Sequence, residues 1–228
     1  MLNLILAEAS LELLPSILYG HRTIKKLKKS GKKPYDVLLD RSIHHFAMVD
    51  TELEFAQKRG RPDIVHISLV NALATPLYQN NLVRIFVHTV DNSVILIGEK
   101  VRIPKSYARF EGLMLTLFKN KSIVSEEGKV LLKLQKNLKI KYLLREIVKP
   151  DLVVGLSTTG SFATASKVAQ DLTNAINPCL IIGGFPRDHF SESVESCFDK
   201  KFSIHNGGLE TQVVVSRLIY EYEKNVLT

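Results

Sequence analysis

Three continuous hydrophobic runs mark the last third of the chain, and each is followed by a loop of small and polar residues. The segments are DLVVGLSTTG from Asp151, PCLIIGGFPRD from Pro178 and KFSIHNGGLET from Lys201. Uninterrupted Val, Leu and Ile between turn residues is typical of a strand that is covered on both faces. Each run therefore predicts a buried strand of about 4–6 residues.

Apolar residues at helical spacing separate the first two runs and follow the third. The first set comprises Ala165, Val168, Ala169, Leu172, Ala175 and Ile176, and the second comprises Val215, Leu218, Ile219 and Tyr222. Strands that alternate with helices predict a parallel sheet with right-handed crossovers, and such sheets bind ligands outside the carboxyl ends of their strands. We therefore expect the three loops to gather at one edge and to form a small-molecule site.

Glycines supply exposed backbone in these loops, at Gly155, Gly160, Gly183, Gly184, Gly207 and Gly208. They either allow a ligand to approach the main chain closely or serve only to make tight turns. The chain lacks the G-x-G-x-x-G and G-x-x-x-x-G-K-[ST] patterns, so the usual dinucleotide and phosphate-loop interpretations are not supported.

The earlier part of the chain predicts further elements around this sheet. Strands are expected at LNLILAEA near the N-terminus and at Asp36–Asp40, Val83–Val90, Ser93–Glu99 and Lys129–Gln135, with a hairpin turn at Asp91–Asn92. Helices are expected to begin at Pro62 and Pro104 and to span Ile140–Lys149, while Leu11–Tyr19 reads as a helix or a turn. The pattern predicts a single α/β domain over residues 1–228.

Composition adds a strong positive charge to this picture. The chain has 31 basic and 23 acidic residues, a net charge of +8 and a pI of about 9.4, which favours a polyanionic partner. Charge alone does not separate RNA from a membrane surface. The two cysteines, Cys179 and Cys197, give no disulfide framework, and no run approaches the length of a membrane span. We therefore expect an intracellular, cytoplasmic protein with no membrane partner.

Basic residues cluster at three places. Seven lie between Arg22 and Lys33, either as a solvated loop or as an anion-binding tract. Arg61 precedes Pro62 at the start of a predicted helix, where Asp63 can orient it to grip a phosphate, although a simple surface arginine fits equally. Around the next predicted helix start, Arg102, Lys105 and Arg109 form a basic stripe that favours phosphate binding.

One pair of histidines raises the question of a metal site. His44 and His45 are adjacent, so their side chains point in different directions on any regular element, and no cysteine or carboxylate stands at ligand spacing. We interpret them as structural or substrate-facing residues and expect no metal.

Four spaced segments resemble a known family over nearly the whole chain. They are GRPDIVH at 60–66, VRIPKSYARFEGLM at 101–114, IIGGFPRDHF at 181–190 and SIHNGGLET at 203–211. They look like the pseudouridine-N1-specific ribosomal RNA methyltransferases of the nucleolar essential protein type. The resemblance implies a mostly parallel sheet with a C-terminal trefoil knot of the SPOUT class, S-adenosylmethionine as the cofactor, a homodimer, and a pseudouridine of small-subunit rRNA as the substrate during ribosome biogenesis.

The resemblance also assigns roles to residues. The cofactor contacts fall on Leu156, Gly183, Asp188, Ile204, His205, Asn206, Gly207, Gly208 and Leu209. The RNA contacts fall on Arg61, Arg102, Lys105 and Arg109, and Arg61 with its orienting acid Asp63 forms the catalytic pair. The implied chemistry is in-line methyl transfer to a ring nitrogen whose anionic form Arg61 favours. Asp40, Asp63 and His66 are the candidates for a general base, and none has a decisive claim.

Some residues depart from the family pattern. Lys105 stands where an arginine is more frequent, which keeps the charge but loses bidentate geometry. Asp188 occupies a position that is commonly glycine, Gly207–Gly208 replace a bulkier pair, and Ala74 stands where many members carry an aspartate. These departures keep open an alternative function, a non-catalytic RNA-binding ribosome assembly factor with the same fold. Another small-molecule α/β enzyme would fit the loops but would leave the basic stripes without a purpose.

Overall fold

A computed structural model of the protein describes residues 1–29, 31 and 33–227. Its strands form one sheet of eight in the order β4-β5-β3-β2-β1-β7-β6-β8. They are β1 Leu2–Ala9, β2 Val83–Thr89, β3 Val94–Ile97, β4 Ser122–Val124, β5 Val130–Gln135, β6 Leu152–Phe162, β7 Pro178–Gly183 and β8 Lys200–Ser203. The five adjacent strands β2, β1, β7, β6 and β8 are parallel to one another. Strands β3, β5 and β4 extend the sheet beyond β2 by antiparallel pairing.

The helices cover both faces of this sheet. They are α1 Arg22–Lys29, α2 Arg41–Asp50, α3 Pro62–Leu73, α4 Pro76–Gln79, α5 Tyr107–Asn120, α6 Ile140–Tyr142, α7 Ala165–Thr173, α8 Glu192–Glu195 and α9 Thr211–Val226, and a π-helix at Leu143–Val148 continues α6. Single 3-10 turns lie at Ser16–Leu18, Pro34–Asp36 and Ala56–Lys58.

The central strands β1 and β7 are buried on both sides, which explains their unbroken hydrophobic runs. Leu4 of β1 and Leu180 of β7 pack into the cluster that holds α3, α5, α7 and α9. Ile5 and Ile181 face the opposite way, into the cluster that holds α6, the π-helix and α8. Since neighbouring residues of a strand point to opposite faces, a strand covered by two layers has no polar face to alternate.

The three C-terminal strands and the helices beside them confirm the sequence predictions, except that α7 ends at Thr173, so Ala175 and Ile176 lie beyond it and Ile176 is exposed. The segments from Asp151, Pro178 and Lys201 form β6, β7 and β8, and all pair in parallel, although β6 extends to 11 residues. The hairpin at Asp91–Asn92 is also present, with Phe86 of β2 opposite Leu96 of β3. The strand expected at Lys129–Gln135 is β5, whereas its short partner β4 had no predicted counterpart.

The strand predicted at Asp36–Asp40 is wrong. Leu38 and Leu39 are buried, but the segment makes only one isolated bridge, between Leu38 and Leu13. Asp40 ends the segment by capping α2, because its Oδ1 accepts a hydrogen bond of 2.8 Å from the Ser42 N–H. Burial of two leucines, Leu38 in the main core cluster and Leu39 in the cluster that contains Met48 of α2, thus produced the strand-like pattern without a ladder of backbone bonds.

Two other boundaries differ from the predictions. The helix expected from Pro104 begins at Tyr107, with Ser106 as its N-cap, so Pro104 belongs to the extended segment before it. The basic tract at 22–33 is not a loop at its start, since residues 22–29 form α1. The part of that tract at residues 30 and 32 lies outside the described residues. The sequence predicts a helix or a turn at Leu11–Tyr19, and the structure shows a turn there.

Candidate active site

The carboxyl ends of β6, β7 and β8 enclose a cavity of about 430 Å³. Eight of the nine residues proposed to contact a cofactor line it: Leu156, Gly183, Asp188, Ile204, His205, Gly207, Gly208 and Leu209. Asn206 belongs to the same loop but does not line the cavity. The parallel strands therefore gather the loops at one edge, as their order in the sequence predicts.

The glycines of these loops divide between packing and open space. A Cβ on Gly155 would lie 2.3 Å from the ring of Phe198, and one on Gly160 would lie 2.5 Å from the backbone of Phe202. These two glycines are therefore required by packing. At Gly208, in contrast, a Cβ would meet no atom within 4 Å. Close packing thus accounts for Gly155 and Gly160, whereas Gly208 leaves open space beside the backbone.

Hydrogen bonds hold the cavity walls in place. The Thr211 Oγ1–H donates to the Gly183 carbonyl at 2.8 Å and joins the start of α9 to the end of β7. The Gly207 N–H donates to Nδ1 of His205 at 3.0 Å, and the Ser203 Oγ–H donates to the His205 carbonyl at 2.7 Å. The loop after β8 is therefore braced internally while its glycines face the cavity.

Asp188 lies at a strained point of the loop after β7. Its φ of 94° is a left-handed value that favours glycine, and its Oδ1 accepts a hydrogen bond of 2.7 Å from the His189 N–H. Glycine would adopt this backbone geometry with less strain than aspartate.

Aromatic side chains form a wall of the cavity that the sequence analysis did not identify. Phe185 and Phe190 line it and meet edge to face, with ring centroids 5.4 Å apart. Phe190 also packs edge to face on Phe198, at 5.3 Å, beneath the cavity. The aromatic residues of the segment GGFPRDHF could have indicated this wall from the sequence, because aromatic side chains often line ligand sites.

Arg61 and Asp63 form a bidentate ion pair at the start of α3. Nε of Arg61 donates to Oδ1 of Asp63 at 2.8 Å and a terminal nitrogen donates to Oδ2 at 2.7 Å, with the arginine side chain 42% exposed. The hydrogen bonds to Asp63 raise the pKa of the Arg61 guanidinium. Burial favours a higher pKa for Asp63, but the hydrogen bonds and charge of Arg61 outweigh it and hold that pKa below its usual range. The guanidinium is oriented and still accessible.

A short chain of hydrogen bonds connects Arg61 to the cavity. The Arg61 N–H donates to Oγ of Ser10 at 2.7 Å, and the Ser10 N–H donates to the Gly184 carbonyl at 2.9 Å. Gly184 follows Gly183, which lines the cavity. The start of α3 and the loop after β7 are therefore neighbours at the end of β1.

The basic stripe lies on the same side of the molecule. Arg102, Lys105 and Arg109 are exposed at and before the start of α5, and among the described residues no carboxylate forms an ion pair with any of them. Nε2 of His66 in α3 donates to the Pro104 carbonyl at 2.7 Å, which holds this segment against α3. The structure thus brings Arg61 and the stripe to adjoining helix starts.

Ala74, at the end of α3, lies beside the same stripe. It lines a groove of about 580 Å³ together with Arg102 and Lys105. No carboxylate is present at this position, so the groove keeps an uncompensated positive charge within the described part of the chain.

The three candidates for a general base are all engaged. Asp63 binds Arg61, and the depressed pKa of its carboxyl makes it a weak base. Asp40 caps α2 through Ser42. The His66 ring is stacked on Phe110 with centroids 4.5 Å apart while its Nε2 donates to Pro104. Each of the three side chains is thus held by a partner within the structure.

The adjacent histidines differ in environment. His44 is buried, and its Nδ1 accepts a hydrogen bond of 3.0 Å from the Asp40 N–H, whereas His45 is exposed. Among the described residues no group of three histidine, cysteine, aspartate or glutamate side chains is placed to hold a metal ion. Both cysteines are free, and none of the described helices is long and apolar enough to cross a membrane.

Two buried ion pairs behind the cavity were also missed from the sequence. Lys58 pairs with Glu8 at 2.7 Å, and Arg59 pairs with Glu12. The only available signal was a pair of acidic residues in and after an apolar strand, which is an unusual place for charge unless it is compensated.

Comparison with known proteins gives consistent matches over the full length. The family model described as EMG1/NEP1 methyltransferase matches residues 4–223. The chain is 37% identical over 228 residues to the ribosomal RNA small subunit methyltransferase Nep1 of Thermococcus sibiricus, covering 100% of both. It is also 37% identical over 219 residues to the protein of that name from Staphylothermus marinus, covering 96% of this chain and 93% of the relative.

A solved structure is similar as well. It is the Nep1 of Archaeoglobus fulgidus bound to S-adenosylhomocysteine, with a TM-score of 0.84, 32% sequence identity and coverage of 99% of each chain. The mixed, mostly parallel eight-stranded sheet is thus an architecture that this chain shares with a solved relative.

Proposed function

This chain belongs to the EMG1/NEP1 methyltransferase family, and from that premise we propose that it methylates N1 of a pseudouridine in small-subunit ribosomal RNA during ribosome biogenesis. It is a methyltransferase of small-subunit rRNA that uses S-adenosylmethionine. The restriction to N1 of pseudouridine is the proposed part, and it rests on the four sequence segments that resemble N1-specific enzymes.

The cavity at the ends of β6, β7 and β8 is the observation that carries the proposal. Its residues fit an adenosyl cofactor, because Gly208 leaves open space and the Phe185 and Phe190 rings offer apolar surface. We assign cofactor binding to Leu156, Gly183, Asp188 and the segment Ile204–Leu209. Asn206 is assigned through the loop that it shares with His205 and Gly207, since Asn206 itself does not line the cavity.

Arg61 is the proposed catalytic residue. S-adenosylmethionine, when bound, supplies a methyl group on a sulfonium centre. Arg61 places a fixed positive charge beside the flipped base and favours the anionic form of the ring nitrogen, while Asp63 holds the guanidinium in one orientation. Holding the reactants in attack geometry can be worth about 7–11 kcal/mol, so most of the acceleration is attributed to positioning.

The basic stripe is the proposed RNA contact. Arg102, Lys105 and Arg109 present exposed positive charge at the start of α5, where free backbone N–H groups also favour phosphate. Together with Arg61 they place the RNA backbone beside the cavity.

A substitution that fills the cavity tests the cofactor assignment. Gly208→Phe adds a ring where the backbone has open space, so the fold is expected to persist while the cavity is blocked. We expect the Kd for S-adenosylhomocysteine, measured by calorimetric titration, to rise at least about 100-fold, which corresponds to ~2.7 kcal/mol. Gly20→Phe is the matched control, since Gly20 also has open space but lies outside the cavity. Equal binding by both variants would refute the assignment.

Several features of the assembly belong to the same proposal. We propose a trefoil knot of the SPOUT type, supported by the order β7-β6-β8, in which the segment after β7 passes β6 to reach β8. We also propose a single domain, a homodimer and a cytoplasmic location. The homodimer rests on the resemblance of the four sequence segments to the family.

A further inference from the structure

Lys58 and Glu8 form an ion pair that is almost completely buried behind the cavity. Lys58 Nζ lies 2.7 Å from Glu8 Oε2, and their side chains are 4% and 9% exposed. Neither residue lines the cavity. Burying two opposite charges carries a large desolvation cost, and well-packed apolar residues often serve stability equally well. The position of the pair therefore calls for an explanation other than stability.

Both partners contact the loop that follows β7. The Lys58 ammonium lies over the Phe185 ring, 5.1 Å from its centroid, and Phe185 lines the cavity. The Ser191 N–H, at the other end of the loop, donates to the two Glu8 carboxylate oxygens at 3.2 and 3.3 Å. The pair thus touches the cavity loop, residues 184–191, at both of its ends.

The backbone of β1 aims Glu8 at this loop. Glu8 has a positive φ of 49°, and the pairing register of β1 with β2 shifts between Leu6 and Ala9. Such irregularities re-aim side chains and occur often beside active sites. The irregularity therefore turns Glu8 toward residues 58 and 191.

The same ion pair also anchors the segment that carries Arg61. Lys58 is three residues before Arg61, and the Arg61 N–H is fixed to Ser10 two residues after Glu8. The Glu12–Arg59 pair provides a second anchor for this segment, and Arg59 also donates to the Glu54 carbonyl; within the described part of the chain, neither residue of this pair makes a hydrogen bond to residues 184–191.

We propose that Lys58 and Glu8 are positioning residues for methyl transfer. The ion pair fixes the cavity loop against the segment that carries Arg61, so that the cofactor and the arginine keep one relative placement. This inference rests on the function proposed above, and it adds two residues that contact neither cofactor nor RNA.

The test removes both charges at once. Glu8→Met/Lys58→Met replaces the pair by apolar side chains of similar length, which leaves no buried charge unpaired. Glu12→Met/Arg59→Met is the matched control, because it removes the neighbouring buried pair. For both variants and the native protein, we would measure the Kd for S-adenosylhomocysteine, the KM for S-adenosylmethionine, kcat, RNA affinity and the Tm.

We expect the Kd and the cofactor KM of Glu8→Met/Lys58→Met to rise about tenfold or more, the factor that ~1.4 kcal/mol produces. kcat should fall as well, while RNA affinity should stay within about twofold, a change of under ~0.5 kcal/mol. The control should keep native cofactor affinity. Native cofactor affinity in the folded test variant, or an equal loss in the control, would overturn the inference.

Two further results separate the possible failures. If the native protein binds no S-adenosylhomocysteine, the proposed function fails rather than the positioning role. If the double variant does not fold, the isosteric Glu8→Gln decides, because it keeps an acceptor for Ser191 and removes only the charge that holds Lys58. We expect about a threefold or larger rise in Kd, a loss of ~0.7 kcal/mol, and an unchanged Kd would overturn the inference.

Discussion

At the residue scale, Arg61 combines an exposed charge with a fixed orientation. Its bidentate pair with Asp63 occupies two of its donors, while a side chain that is 42% exposed leaves others for a substrate. A surface arginine without this partner would sample many orientations. In the proposed catalytic pair, Asp63 therefore acts by orienting Arg61, and its carboxyl is a weak base.

Removal of Arg61 should separate catalysis from cofactor binding. We expect Arg61→Ala to lower kcat about 100-fold or more, in the range for loss of a preorganised charge, with the Kd for S-adenosylhomocysteine unchanged. Arg61→Lys should be intermediate, because lysine keeps the charge but cannot hold Asp63 in bidentate fashion. Single-turnover methylation assays measure the effect, and native turnover in Arg61→Ala would refute the catalytic role.

His44 should make stability depend on pH. Burial lowers the pKa of His44, and Nδ1 must stay deprotonated to accept from the Asp40 N–H. Below pH ~6.5 the unfolded chain therefore binds a proton that the folded ring takes up only at lower pH, so the free energy of unfolding falls as pH is lowered from about 7 to about 5. Above that range the His44 contribution is constant.

Two asparagine variants isolate this effect. His44→Asn offers Asp40 an oxygen that does not titrate, so urea unfolding should depend less on pH between about 5 and 7. His45→Asn changes the exposed neighbour and should keep the native dependence. A pH dependence that His44→Asn leaves intact would show that another group is responsible.

At the element scale, the start of α5 combines two sources of positive potential. The first N–H groups of a helix have no partner within the helix, the N-cap Ser106 makes no side-chain hydrogen bond to them, and the first turn next to Arg102, Lys105 and Arg109 contains no acidic residue. The helix is nevertheless stable, because Phe110, Met114, Leu117 and Phe118 are buried against the sheet. Packing thus offsets the repulsion of like charges at its start.

Removing the stripe should change the salt dependence of RNA binding. Arg102→Ala/Lys105→Ala/Arg109→Ala should weaken RNA affinity. It should also reduce the magnitude of the slope of log K against log salt concentration by about 2, because each of the three lost phosphate contacts contributes roughly 0.7. Lys119→Ala/Lys121→Ala, at the other end of α5, is the charge control and should keep most of the slope. An unchanged slope in the triple variant would show that RNA binds elsewhere.

The elements that the sequence predicted correctly are those whose apolar residues follow one clear spacing along the chain. β6, β7 and the helix between them follow from continuous and helical apolar spacing. The segment at Asp36–Asp40 misled because Leu38 and Leu39 are buried, in two different core clusters, without joining the sheet. A short apolar run has the same hydrophobic pattern whether it is only buried or also pairs with a strand, so periodicity does not distinguish the two cases.

At the scale of the whole molecule, the site depends on contacts between distant parts of the chain. The cavity loops were predicted to meet because parallel strands end at the same edge. The placement of Arg61 beside them was not, since it depends on Ser10, Glu8 and Glu12 at the end of β1, and their partners lie about fifty residues away. No local pattern encodes those pairs, and the resemblance supplied what periodicity did not.

The central claim is that this edge joins a methyl donor to a pseudouridine. Its most direct test is mass analysis of two RNA stem-loops of identical sequence, one with pseudouridine and one with uridine at the target, after incubation with the protein and S-adenosylmethionine. We predict a gain of one methyl group on the pseudouridine, located at N1 by fragmentation, and none on the uridine. Equal methylation of both, or RNA binding with no methyl transfer to either, would contradict the account.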